Sequence, residues 1–353
     1  MLYRSLLKPV LFQFDPEKVH DFFTSAGSFM GDHAVTRALI NGSYGYHGPD
    51  ISKTVDGIRY RTPFLLSAGF DYDGKLSRIL PYIGLGGEEM GSITARPCEG
   101  NPTPRLTRLP QSKSILVNKG LRNQGVDALI ARLKATPIEA VKGVPFIRGI
   151  SIARTNDPAS VPVDAGIEDY AYSFKRLNEE GVGDYYTINI SCPNAFGAEA
   201  FTDPILLDRL LAVLTAILCV KPVYVKMPIS VPWAQFDAML KVIDARGLQG
   251  VVIGNLNKDY SSLDKREEAP TTYRGGLSGK PCTHPSTDLI YKTRELYGKR
   301  FTIIGVGGVM SPETALEKFD AGADLVQLVS GLIFEGPGLV RSLASAYEAR
   351  IGK

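Results

Sequence analysis

From Pro63 to Leu328, short apolar runs alternate with stretches patterned as amphipathic helices. No other feature constrains the fold as strongly, because regular alternation of this kind demands a mostly parallel sheet covered by helices. The apolar runs read as buried strands are Pro63–Ala68, Gly91–Thr94, Phe146–Ile152, Tyr185–Ile190, Val223–Met227, Gly250–Ile253, Thr302–Val306 and Leu325–Leu328. Helical patterns fall at Gln124–Lys134, Ile167–Glu180, Pro204–Ala216, Trp233–Ala245, Pro285–Tyr297 and Pro312–Ala321. Eight such strands predict an α/β fold of the (β/α)8 TIM-barrel type. A doubly wound open sheet is the alternative, but the early G-x-G-x-x-G turn of the dinucleotide-binding form is absent.

Composition excludes several classes of function. Apolar residues make up 44% and charged residues 22% of 353, an ordinary globular balance. A net charge of +3 without a basic block gives no footprint for nucleic acid. Cys98, Cys192, Cys219 and Cys282 are far apart and form no C-x-x-C pair. That spacing argues against a structural metal, an iron–sulfur cluster and a disulfide framework, and fits a reducing compartment. No apolar run reaches the roughly 18 residues that span a bilayer.

The first 46 residues differ from the rest. Leu6, Leu7, Val10, Leu11, Phe14, Val19, Phe22, Phe23 and Phe29 recur at near-helical spacing, with Arg4, Lys8 and Lys18 among them. Asp15-Pro16-Glu17 has the form of a helix start: a capping acid, proline in the first turn, then a second acid. Two short helices are expected here. Their apolar faces either pack on the main domain or lie on a membrane surface. A Gly/Tyr/Pro linker, residues 42–50, separates them from residues 47 onward, so the expected division is 1–46 and 47–353.

The polar and glycine-rich segments fall after the predicted strands, at the end of a barrel where active sites form. Gly305–Gly308 and Val329–Gly331 follow strands seven and eight and precede helices, the arrangement that gathers backbone N–H groups around a phosphate. Lys226 closes an otherwise apolar strand, which points to a fixed cation beside a group that becomes anionic. Asn189, Cys192 and Asn194 lie within six residues, where strand four turns into a loop stiffened by Pro193. Amides flanking a thiol suit a site that binds a planar polar substrate and takes a proton from it.

Taken together and in order, the motifs resemble the dihydroorotate dehydrogenase family over nearly the whole chain. They are Leu11-Phe-Gln-Phe-Asp-Pro-Glu17, Ser67-Ala-Gly-Phe-Asp-Tyr-Asp-Gly74, Gly100-Asn-Pro-Thr-Pro-Arg105, Asn189-Ile-Ser-Cys-Pro-Asn194, Val225-Lys226, Gly275-Gly-Leu-Ser-Gly279, Ile303-Ile-Gly-Val-Gly-Gly308 and Ser330-Gly-Leu-Ile-Phe-Glu-Gly-Pro337. The resemblance implies an FMN-dependent oxidation of dihydroorotate to orotate in pyrimidine synthesis: a base takes the C5 proton while hydride leaves C6. It implies Cys192 as the base. It implies Asn118, Asn189, Asn194 and Asn255 as substrate ligands, and Ala68, Gly69, Ser92, Asn189, Lys226, Gly279, Gly308 and Ser330 as FMN contacts.

The N-terminal segment resembles the quinone-linked class, in which two helices form an apolar tunnel and rest on a bilayer. That implies a membrane quinone as acceptor and a peripheral membrane location, on the cytoplasmic face of a bacterial inner membrane or at the mitochondrial inner membrane. No metal, nucleic acid or iron–sulfur partner is implied. A soluble, fumarate-linked enzyme and an FMN oxidoreductase acting on another dihydropyrimidine are the alternatives.

The chain also departs from the quinone-linked pattern. Cys192 stands where that class carries serine, and Ser151 likewise resembles the soluble classes. Tyr72 replaces a substrate-binding lysine, and Gly91-Ser-Ile-Thr94 lacks the lysine that the soluble classes place there. Lys119 and Arg154 are the candidates to supply the missing cation. Leu256 and Val329 replace a family Thr and Tyr.

Overall fold

The computed structural model describes residues 3–197 and 199–352. Eight parallel strands close into a barrel. In chain order they are β1 (Phe64–Leu66), β2 (Gly87–Ile93), β3 (Ile147–Ile152), β4 (Tyr185–Asn189), β5 (Val223–Met227), β6 (Gly250–Ile253), β7 (Thr302–Val306) and β8 (Leu325–Leu328). Each pairs with its neighbours in sequence, and β8 closes on β1 through Val326, Gln327 and Leu328 against Phe64, Leu65 and Leu66. The open-sheet alternative is thereby excluded.

Alternation along the strands separates two cores. Leu65, Ile147, Tyr185, Tyr224, Val252, Ile304 and Leu325 point inward and fill the lower barrel. Tyr60, from a hairpin of Lys53–Val55 and Ile58–Tyr60, joins them from below. Gly149 is required here, because a Cβ would stand 2.0 Å from the Tyr185 ring. The intervening residues face out to the helical ring. That ring comprises α4 (Val126–Ala135), α5 (Val163–Glu179), α6 (Pro204–Thr215), α7 (Trp233–Ala245), α8 (Thr283–Tyr297) and α9 (Pro312–Asp320), followed by α10 (Ser330–Glu335) and α11 (Gly338–Ile351).

β2 begins at Gly87, four residues before the strand expected at Gly91. Glu88 and Glu89 give this stretch the look of a polar break, yet both are fully buried inside β2. The N-terminal segment also differs from the two short helices expected. A π-helical turn, Tyr3–Leu7, runs into α1 (Lys8–Leu11), and then come a long α2 (Pro16–Asp32) and α3 (Ala34–Tyr44). Asp15 caps α2 as its sequence indicates, accepting from the N–H groups of Glu17 and Lys18. Extended backbone at His33, two residues after Gly31, separates α2 from α3.

Over the barrel mouth lies a three-stranded sheet of Leu106–Leu109, Ser114–Val117 and Gly276–Leu277. It brings the loop after the second of these strands, Asn118–Gly120, against the start of α2.

Candidate active site

Moving up the barrel interior, side chains change from apolar to polar. Glu89, Thr187 and Gln327 form a fully buried layer. Glu89 Oε2 accepts from Thr187 Oγ1 at 2.8 Å and from Gln327 Nε2 at 3.0 Å. One step higher is Lys226, two residues beyond Tyr224 and so on the same inward face. Its Nζ stands 3.9 Å from Glu89 Oε1 and 3.4 Å from Ser67 Oγ. The buried cation is thus balanced by a buried carboxylate, with no tight hydrogen bond to either neighbour. Burial pushes the Lys226 pKa down, and Glu89 opposes the shift.

Above Lys226, a polar network rims the mouth. Asn189 Nδ2 donates to Ser92 Oγ at 2.8 Å, and Ser92 Oγ lies 2.7 Å from Ser151 Oγ. Asn189 Oδ1 accepts from the Ser191 N–H, and Ser191 Oγ donates to Lys226 O. Asn255 Nδ2 reaches Ser191 O at 2.8 Å and Ser191 Oγ at 2.7 Å. Asn194 Nδ2 donates to Val117 O, and Asn101 Nδ2 ties Asn118 Oδ1 to Asn194 O. The amides are held in place by one another, so their remaining groups are pre-oriented.

Cys192 is partly buried beside this network. Burial pushes its thiol up to about 11, while the Asn194 N–H and the Lys226 charge pull the other way. A cysteine in water titrates near 8.5, so the environment here favours the neutral thiol.

One cavity of about 550 Å³ joins these groups. Ala68, Gly69, Ser92, Asn189, Cys192, Asn194, Lys226, Asn255, Gly279, Gly308 and Ser330 all line it. Asn118 lies outside the lining; its side chain is turned to Asn101. The same cavity continues between the N-terminal helices, past Leu7, Leu11, Val19, Phe23 and Met30.

Whether FMN fits can be tested on the glycines. Gly69, at φ +105°, lines the cavity, and nothing lies within 4 Å of where its Cβ would stand. A side chain there would occupy the space of a flat ring. Gly307 (φ +110°) and Gly308 (φ +71°) lie in the left-handed region, and a Cβ on Gly308 would meet Thr283 Oγ1 at 1.9 Å. These turns bring bare backbone to the cavity beside Ser330 and Gly279. Open space over Gly69, a glycine cradle and a buried lysine suit FMN.

Two features are not legible in the sequence. Glu89 and Gln327 carry the charge layer under Lys226, and their signal was an acidic pair and a glutamine inside apolar runs. Glu17 of α2 gathers Arg105, Lys119 and Arg122 at 2.7, 2.5 and 3.1 Å. Nothing local pairs residues so far apart in sequence. Of the two candidate cations, Arg154 is engaged with the carbonyls of Phe196 and Gly197. Lys119 lines the cavity, its Nζ 5.1 Å from the Tyr72 ring centre.

Comparison with known proteins agrees with this geometry. A sequence model described as dihydroorotate dehydrogenase matches residues 50–350. A dihydroorotate dehydrogenase (quinone) of Salinispora arenicola is 37% identical over 350 residues, covering 98% of this chain and 99% of that one. One from Cupriavidus pinatubonensis is 35% identical over 355 residues, covering 98% of each. The ligand-free dihydroorotate dehydrogenase of Eimeria tenella superposes with a TM-score of 0.81 at 23% identity, covering 96% of each chain, a likeness of fold.

Proposed function

The chain belongs to the dihydroorotate dehydrogenase family, and from that premise we propose how this continuous cavity serves two half-reactions. The enzyme oxidises dihydroorotate to orotate in pyrimidine biosynthesis with FMN, and a quinone takes the electrons. The observation that carries the reading is the continuity of the cavity: polar around Cys192 and Asn189, apolar between α1 and α2. One ligand chemistry suits each end.

FMN bound here would supply a hydride acceptor for the substrate and a donor of electrons to the quinone. Ala68, Gly69 and Ser92 would hold its ring, and Gly279, Gly308 and Ser330 would hold its phosphate. Lys226 places a positive charge beside the ring, where negative charge grows on reduction. Asn189, Asn194 and Asn255 orient the ureide ring of the substrate through amides that both donate and accept. Asn118 acts from behind, holding Asn101 and through it the Asn194 loop. Cys192, as thiolate, receives the C5 proton.

The N-terminal helices, within a division placed at 1–46 and 47–353, supply the quinone channel and a membrane-facing surface. Val10, Phe14, Phe22, Phe29, Val35 and Leu39 are exposed on them, each more than half so. Apolar side chains on that scale suit the headgroup–acyl boundary of a bilayer. Among the described residues no helix is long and apolar enough to cross a membrane. The surface proposed is the cytoplasmic face of an inner membrane in a bacterial cell, or the inner membrane of a mitochondrion.

The test is steady-state turnover of dihydroorotate with ubiquinone or menaquinone analogues, fumarate and NAD+ in parallel, with and without anionic vesicles. Quinone turnover stimulated by vesicles is expected. Preference for fumarate, or indifference to vesicles, would contradict the acceptor or the membrane assignment respectively.

A further inference from the structure

Dihydroorotate carries a carboxylate, and a buried carboxylate needs a cation or several N–H donors. Among the described residues the cations lining the cavity are Lys119, Arg108, Arg122 and Lys226. Lys226 is paired with Glu89. Arg108 donates to Phe14 O and lies over the Phe12 ring, within the helical channel. Arg122 is shared between Glu17 and Asp21. Arg105, just outside the lining, is filled by both Glu17 oxygens and the carbonyls of Glu99 and Asn101.

Lys119 is different. An ammonium has three N–H donors, and the described partners of this one are Glu17 Oε1 and the face of Tyr72. Its side chain is 8% exposed. Two carboxylates, Glu17 and Asp21, face the three cations Arg105, Lys119 and Arg122 at this spot, so one positive charge is left over at the cavity wall. Lys119 directly follows Asn118, whose Oδ1 shares Asn101 Nδ2 with the Asn194 carbonyl. The ammonium and the substrate-facing amide loop are therefore carried on one rigid support. Tyr72, where the resemblance places a substrate lysine, offers only a ring face.

We propose that Lys119 is the specificity-determining cation that takes the carboxylate of dihydroorotate, and that Glu17 positions it. The inference rests on the functional reading above and deepens it. It also joins the two ends of the cavity: Glu17 sits in the first turn of α2, so the helix that walls the quinone channel braces the substrate cation.

The test is anaerobic titration of the FMN holoenzyme with orotate, followed by the flavin visible spectrum. Lys119→Met should weaken orotate binding roughly 10- to 100-fold, the range of a lost charge-assisted contact. Orotate methyl ester, which keeps the ring and lacks the charge, should bind both proteins alike. Adding Tyr72→Lys to Lys119→Met should recover most of the lost affinity, a rescue that a merely structural role would not allow. Lys119→Arg, which keeps the Glu17 pair, should stay within a few-fold of wild type and serves if the methionine variant does not fold.

Unchanged orotate affinity in Lys119→Met, or equal losses for orotate and its ester, would overturn the inference while leaving the enzyme's function intact. Failure of the wild type itself to bind orotate would remove the functional reading and the inference together.

Discussion

Lys226 Nζ lies 3.9 Å from Glu89 Oε1, and both side chains are buried in the barrel beneath the mouth. The pair is looser than a contact ion pair, and it is asymmetric. Glu89 Oε2 is anchored by Thr187 and Gln327, whereas Oε1 has no hydrogen-bond partner and faces the lysine. The arrangement fixes the carboxylate from below and leaves the ammonium free on its upper side. A group that gains negative charge above Lys226 completes the coordination.

Lys226→Met should therefore slow the reductive half-reaction by about 100-fold or more, the scale of removing one preorganised electrostatic donor. FMN should remain bound through the glycine cradle. Stopped-flow reduction by dihydroorotate, with flavin content read from absorbance, checks both. Undiminished reduction would show that the lysine is only a structural partner of Glu89.

Gly308→Ala should abolish FMN loading. The new Cβ would stand 1.9 Å from Thr283 Oγ1 and 2.6 Å from Thr283 Cα, and φ at this site is +71°. The clash with Cα cannot be relieved by a rotamer change, so the turn itself must move. The purified variant should be colourless with its secondary structure unchanged by circular dichroism. Full flavin content would place the phosphate elsewhere.

The thiol of Cys192 is pushed up to about 11, chiefly by burial. Below that value the thiolate fraction rises tenfold per pH unit, so the rate of flavin reduction should climb through the alkaline range. Cys192→Ala should cost about 100- to 10,000-fold and flatten the profile. A wild-type profile already flat from pH 7 to 10 would mean that another group, or a bound substrate effect, governs the proton transfer.

The course of the strands and the outer helices was legible because burial imposes its own periodicity. Trp233–Ala245 and Val223–Met227 fall where the apolar pattern puts them. Glu88 and Glu89 obscured the start of β2, since an acidic pair in sequence reads as solvated until its partners are known. The residues ending the strands were visible as candidates, and all but Asn118 and Arg154 meet in one cavity. The ion cluster was not visible. Glu17 lies 88 residues from Arg105 and 102 from Lys119, and only the closure of α2 over the mouth joins them. The raised thiol pKa of Cys192 was not legible either, because the desolvation behind it is imposed by the fold.

That cluster carries its own pH dependence. Burial alone would raise the Glu17 pKa, but hydrogen bonds and charge from Arg105 and Lys119 outweigh it and bring it from 4.5 to about 2. A depressed acid stabilises the folded form fully above its unfolded pKa and loses that contribution as the pH falls through the folded one. Docking of α2 should therefore weaken between about pH 4.5 and about pH 2. Protection factors in α2, from hydrogen exchange at pH 5 and pH 3 corrected for the intrinsic pH dependence of amide exchange, should fall at the lower pH in wild type. In Glu17→Gln they should be lower at both pH values, with little further change. An equal pH response in the two proteins would contradict the role of Glu17.

The central proposal is that this cavity holds FMN and dihydroorotate together with Cys192 placed to take the proton. The most direct measurement is the anaerobic visible spectrum of the purified protein before and after dihydroorotate is added. An oxidised flavin spectrum that bleaches in wild type and persists far longer in Cys192→Ala is expected. A flavin that stays oxidised in wild type, or bleaches equally fast without the thiol, would contradict the proposal.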